Sequence, residues 1–145
     1  MCFLARPSQE EYRLEERVLG ELLAAADYEL YSTIQHYKPG YDVFCEKICS
    51  QILASRFCIV LLNHPPHPAR ADIRIPSPNV FLEYGMMLGF GKRIIPMQRA
   101  GETLPFDVVG LDTVKYAPEE FREEAQRAIG SLTATLYPML KIEAL

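Results

Sequence analysis

The apolar positions of this chain fall into two rhythms that take turns along its length. Residues 1–5 form a short apolar run closed by Arg6-Pro7-Ser8. From Glu10 to Ala26 the spacing is helical: Leu14, Val18, Leu22 and Ala26 share one stripe, Leu19 and Leu23 lie beside it, and acids and arginines fill the opposite side. Residues 28–34, rich in Tyr, Thr and Ile, predict a second strand, and Lys38-Pro39-Gly40 a turn. Asp42 is placed to cap a helix whose apolar face is Phe44, Ile48, Ile52 and Leu53, ending near Ser55. Residues 57–62 (FCIVLL) are apolar at every position, the pattern of a strand buried on both faces of a parallel sheet.

A Pro-rich stretch from Asn63 to Pro78 interrupts the alternation. It exceeds the roughly 12–15 residues usual for a structureless loop, so it is expected to be functional or disordered. Pro78-Asn79 then opens a helix to about Phe90, which Gly91 stops. Residues 93–97 (RIIPM) predict a strand, with Pro96 marking its end, and 103–110 a loop or bend. A short strand over 112–116 follows, then a helix from Pro118 to about Leu136 with a Glu-rich first turn. The order β-α-β-α-β-loop-α-β-β-α implies right-handed crossovers. The expected fold class is α/β, a flavodoxin-like, doubly wound, mainly parallel five-stranded sheet with helices on both faces.

Composition narrows the functional classes. The 145 residues are 49% hydrophobic and 23% charged, enough for one domain with a real core. A net charge of -4 and a pI near 5.4 argue against a general nucleic-acid binder, which needs excess Lys and Arg. Cys2 and Cys58 lie in strand-like runs, and Cys45 and Cys49 are one helical turn apart. With no CxxC and no metal-ligand spacing, reduced thiols in a cytoplasmic protein are the simple expectation. No apolar run reaches the ~18–20 residues of a membrane span, and the first six residues are too few for a signal peptide. A core strand that starts at Met1 points to a domain cut from, or partnered with, a larger system.

Candidate chemistry centres on residues 75–91, IPSPNVFLEYGMMLGFG, in which Glu83 is the only charged residue. A helix apolar on nearly every side is expected to be buried. A carboxylate there must be paired, hydrogen-bonded or proton-bound, since desolvating a bare charge costs several kcal/mol. Glu83 also falls in the first turns after the central strand, at the carboxyl ends of the strands where open parallel sheets bind ligands. The helix start offers N–H groups to an anion, and Gly85, Gly89 and Gly91 leave room for close approach. Two readings stay open from spacing alone: a structural acid held by the dipole or by an arginine, and a functional one.

The stretch PNVFLEYGMMLGFGKRIIPM, followed by LPFDVVGLDTVKY, resembles the TIR-like and nucleoside 2-deoxyribosyltransferase-like superfamily. Those proteins show PNV-x-x-E-x-G, then G-K-P-V-I, then PFD and a short strand. The opening MCFLARP resembles their first strand and loop. The resemblance spans nearly the whole chain and implies one nucleotide-binding α/β domain over residues 1–145. It implies that Glu83 is catalytic, acting at the anomeric carbon of a ribose joined to a base, where a carboxylate stabilises or traps an oxocarbenium-like transition state. NAD hydrolysis is the expected activity, because nicotinamide leaves from a cation and asks for no general acid; a neutral nucleoside would ask for one. The implied substrate-binding set is Phe3, Ala5, Arg6, Asn63, Asn79, Tyr84 and Gly85. No metal and no cofactor is expected, since NAD or another nucleotide enters as substrate. Many relatives carry an aspartate where this chain has Asn63, and their loop is shorter; Asp72 is a substitute acid from within the loop.

Other signals have plainer explanations. His64 and His67 form an HPPH pair that lacks a third metal ligand, so a solvated loop is expected. Arg70 and Arg74 suit either a dinucleotide's phosphates or solvent. Arg6, in the loop after the first strand, is better placed to border the pocket. Phe3, Tyr84 and Phe106 suit base stacking or core, Asp107 a turn cap, and the acids from Glu119 to Glu124 a solvated helix start. Two alternatives to an enzyme remain: a nucleotide sensor without catalysis, motivated by Asn63, and a TIR-like self-assembling module. A homo-oligomer or a fused effector or sensor domain is the expected partner.

Overall fold

The computed structural model describes residues 1–33, 40, 43–103 and 112–143. Strands β1 (Cys2–Ala5), β2 (Leu30–Ser32), β3 (Phe57–Leu61), β4 (Pro66–His67), β5 (Arg70–Arg74), β6 (Ile94–Arg99) and β7 (Val114–Tyr116) alternate with helices α1 (Arg13–Ala25), α2 (Ser50–Ala54), α3 (Pro78–Gly89) and α4 (Phe121–Glu143). Five strands make one parallel sheet in the order β2-β1-β3-β6-β7, as expected for a doubly wound α/β fold. Cys2 pairs with Phe57 and Ala5 with Val60 on one side of β3, and Cys58 pairs with Ile94 and Leu61 with Met97 on the other.

Strand alternation builds two cores. Phe57, Ile59 and Leu61 of β3 join Cys2 and Leu4 of β1 under α1 and α4, through Leu19, Leu23, Phe121, Ala125 and Ile129. Cys58, Val60 and Leu62 face the other way with Phe3 and Ala5, under Ile52 of α2 and Val80, Tyr84 and Met87 of α3. The continuous apolar run is thus a strand covered on both sides.

Four expectations need correction. Residues 63–78 are not structureless: β4 and β5 pair as a small antiparallel hairpin. In α1, Leu14 is exposed, while Tyr12, Glu15, Glu16, Val18, Leu19 and Leu23 are buried. The helix opens with a 3-10 turn (Glu10–Tyr12), and the two glutamates fit on the inner face because Arg6 pairs with Glu16 and Arg99 with Glu15. Leu53 is exposed rather than part of the α2 face, which follows a π-helical stretch (Val43–Cys49). The segment around Glu83 is not buried all round: Leu82, Leu88 and Phe90 are 49%, 42% and 41% exposed. Asp42, Phe106 and Asp107 lie outside the described residues.

The carboxyl ends of the strands are stitched by polar side chains. Asn63 Nδ2 donates to the Tyr116 hydroxyl at 2.8 Å, and its Oδ1 accepts the Arg99 N–H at 2.7 Å. The Tyr116 hydroxyl lies 3.4 Å from Glu15 Oε1, which binds Arg99 Nη2 at 2.7 Å. The Arg99 guanidinium sits 4.6 Å over the Tyr12 ring, and Glu11 bridges Arg99 and Arg74 at 3.2 Å each. Tyr116→Phe keeps the ring but strands the buried Asn63 amide. It is expected to cost about 1–3 kcal/mol in urea unfolding, and an unchanged midpoint would show the link to be idle.

Candidate active site

The β3-α3 connection returns the chain to the carboxyl ends of the strands, so α3 starts there and runs back over β1 and β3. Pro78 occupies the first turn, where a missing N–H costs nothing, and Asn79 beside it is exposed. Glu83 follows in the second turn. Helical spacing sets it on the inner face with Val80, Tyr84 and Met87, and it is 7% exposed. Its Oε2 is sealed from solvent and has no hydrogen-bond partner among the described residues. Burial alone pushes its carboxyl from the ordinary 4.5 up to about 7. Among the described residues Glu83 thus has no salt bridge, unlike Glu15 and Glu16, each of which has an arginine.

The structure divides the other expected site residues between the two faces of the sheet. Phe3, Ala5 and Tyr84 share the Glu83 side. Phe3 is fully buried and stacks on Tyr31 at 5.7 Å, so it forms floor rather than a free platform. Burial raises the Tyr84 phenol above its ordinary range. Gly85 points outward, with open space beyond its Cα. Arg6 turns to α1, where it holds Glu16 and donates to the Pro7 carbonyl at 2.8 Å. Asn63 turns the same way, toward Tyr116.

The hairpin arginines have neighbours of their own. Arg74 meets Glu11 and donates to the His64 carbonyl at 3.0 Å. Arg70 and Asp72 form a loose exposed pair at 3.5 Å. Among the described residues no group of three His, Cys, Asp or Glu side chains converges to hold a metal, and no helix is long and apolar enough to cross a membrane. Cys2, Cys49 and Cys58 are free thiols, and burial raises Cys2 and Cys58.

Two features escaped the sequence reading. Arg99 anchors the carboxyl-end network through a partner 84 positions away, which no local signal reveals. His64 is only partly solvated: its Nε2 is buried and has no hydrogen-bond partner among the described residues.

No protein-family model matches the chain, and no curated protein is similar enough to match. Solved structures do match. The CMP N-glycosidase BcmB of Clostridium botulinum superposes with a TM-score of 0.61 at 18% identity, over 90% of this chain and 98% of that one. The TIR domain of the Toll-related receptor TRR-2 from Hydra magnipapillata superposes with a TM-score of 0.56 at 20% identity, over 90% and 94%. The fold is thus that of the TIR-like and nucleoside deoxyribosyltransferase-like proteins.

An unpaired buried acid leaves a signature in stability. Between pH 4.5 and about 7 the folded chain holds a proton on Glu83 that the unfolded chain has released, so stability falls as pH rises through that window. Glu83→Gln stays neutral throughout. It is expected to gain on the wild type by on the order of 3 kcal/mol between pH 5 and pH 8, read by urea unfolding at each pH. A constant difference between the two proteins would mean that the carboxylate has a partner.

Proposed function

We propose that this chain cleaves or transfers at the N-glycosidic bond of a nucleotide, with Glu83 as catalytic carboxylate and NAD as the leading substrate. The observation that carries this reading is the buried Glu83 carboxyl, unpartnered among the described residues, in the helix that starts at the carboxyl ends of the strands. The fold shared with a CMP N-glycosidase supports the reaction class. In the proposed reaction the C1′–N bond breaks and its electron pair stays on the nicotinamide nitrogen, which neutralises the ring cation. The ribosyl cation left behind is stabilised by Glu83 or trapped as an ester, and water then takes C1′ and gives its proton to solvent.

The protonation state of Glu83 bears on the substrate. A pyridinium beside the carboxyl favours its ionised form, so NAD binding is expected to release a proton. With NAD, kcat/KM is expected to fall about tenfold per pH unit below about 7 and to level off above it. A neutral leaving base, such as the cytosine of CMP, needs a proton from Glu83, and the limb then reverses. The test is turnover of NAD, CMP and a nucleoside panel by wild type and Glu83→Gln, with a loss of at least about 100-fold in the variant. Equal turnover by both proteins would sink the assignment.

A second reading, a nucleotide-sensing or self-assembling module without turnover, draws on the outer face of α3. Leu82, Leu88 and Phe90 stand in solvent beside Gly85 and Gly89, an apolar surface without a charge. Light scattering at high protein concentration is expected to show self-association that Leu82→Glu abolishes while keeping the fold. A wild-type monomer with and without nucleotide would refute it.

A further inference from the structure

We propose that His64 is a substrate-binding residue whose Nε2 hydrogen-bonds to the sugar–phosphate part of the nucleotide held at Glu83. This deepens the reading above and rests on it. His64 follows the carboxyl end of the central strand. The β3 ladder continues past Leu61, since the Leu62 N–H donates to the Met97 carbonyl at 2.8 Å and Gln98 Nε2 donates to the Leu62 carbonyl at 2.9 Å. Leu62 packs in the α3 core, and Asn63 bonds to Tyr116 on the opposite face. Extended by two residues, that alternation assigns His64 to the α3 side at the carboxyl end of the central strand, and this assignment is part of the proposal.

The residue is also held in place. Its N–H donates to Glu102 Oε2 at 2.9 Å, and its carbonyl accepts from Arg74 Nη1 at 3.0 Å. Buried Pro65 and then Pro66 follow, each with φ fixed by its ring. Such a backbone presents the imidazole with little freedom to lose on binding.

The imidazole itself is incomplete. His64 Nε2 is sealed from solvent and has no hydrogen-bond partner among the described residues, a state that is costly to leave unfilled. The buried side-chain atoms without partners among the described residues are Gln9 Oε1, the Tyr12 hydroxyl, His64 Nε2 and Glu83 Oε2. Gln9 and Tyr12 lie between β1 and α1, His64 directly after β3, and Glu83 in the second turn of α3, after the hairpin. An unsatisfied polar atom beside the carboxyl ends of a parallel sheet is one that a bound ligand can complete. On the α3 side such atoms are those of His64 and Glu83. A carboxylate for the anomeric carbon and an imidazole nitrogen for an oxygen of the same sugar phosphate form a complementary pair.

The test is calorimetry on the full chain with NAD, CMP and the matching nucleosides, using wild type, His64→Gln and His64→Asn. The glutamine amide reaches the Nε2 position, whereas the asparagine amide reaches only Nδ1. His64→Asn is expected to weaken nucleotide binding about tenfold, the value of one hydrogen bond, and His64→Gln to stay within about threefold of wild type. A loss confined to nucleotides assigns the contact to phosphate, and a loss shared by nucleosides assigns it to a sugar hydroxyl. Wild-type affinity in His64→Asn, equal loss in both variants, or no binding of any compound by the wild type overturns the proposal. Turnover by Glu83→Gln separates the two claims. A dead Glu83→Gln beside an unaffected His64→Asn removes only His64. A fully active Glu83→Gln beside a weakened His64→Asn removes only the role of Glu83.

Discussion

The two-sided burial of β3 is the constraint on which the rest of this molecule depends. Its residues are sealed on both faces, between α1 and α4 on one side and α2 and α3 on the other. Burying both faces of a strand requires that its backbone be paired on both edges, and β1 and β6 supply those pairings in parallel register. Parallel pairing forces crossovers, and these set out from the carboxyl ends of β1 and β3. The position of Glu83, the pairing of Asn63 with Tyr116 and the hairpin inserted before α3 all follow from where β3 ends.

Three buried glutamates show how the fold treats charge. Glu16 is matched by Arg6, and Glu15 by Arg99. Those pairs fasten α1 to the ends of β1 and β6, and each charge removed from water meets its opposite. Glu83 is as well hidden, yet among the described residues it has no cation and its Oε2 has no donor. The same desolvation that is compensated twice on the α1 side is left uncompensated on the α3 side, where it raises the carboxyl to about 7. Uncompensated burial of this kind is a stability cost that a structural role does not require, which makes it the physical basis of the functional reading.

The hairpin changes how the loop is understood. Every residue of β5 is exposed, so the hairpin has little core of its own. Arg74 ties it to Glu11 and to the His64 carbonyl, and the Ile75 N–H returns to the Pro65 carbonyl at 3.0 Å. The long loop is therefore a braced insertion beside the strand ends, and its bracing includes the backbone of His64.

The sequence by itself determined the elements and their class. A run apolar at every position fitted a doubly covered strand, the helical stripes supplied the layers, and the lone carboxylate in PNVFLEYG marked the segment to watch. The phase of α1 was not legible: periodicity assigns glutamates outward, and Glu15 and Glu16 turn inward only because arginines from distant strands meet them. The exposed side of α3 was equally hidden, since an apolar residue does not reveal whether anything covers it. Tertiary structure alone decided that Asn63 binds Tyr116 and Arg99, that Arg6 binds Glu16, and that Glu83 and His64 each keep an atom without a partner among the described residues. The reason is physical: local spacing fixes which way a side chain leaves its own backbone, whereas its partner, and so its charge state and availability, is set by elements that only the folded sheet brings within reach.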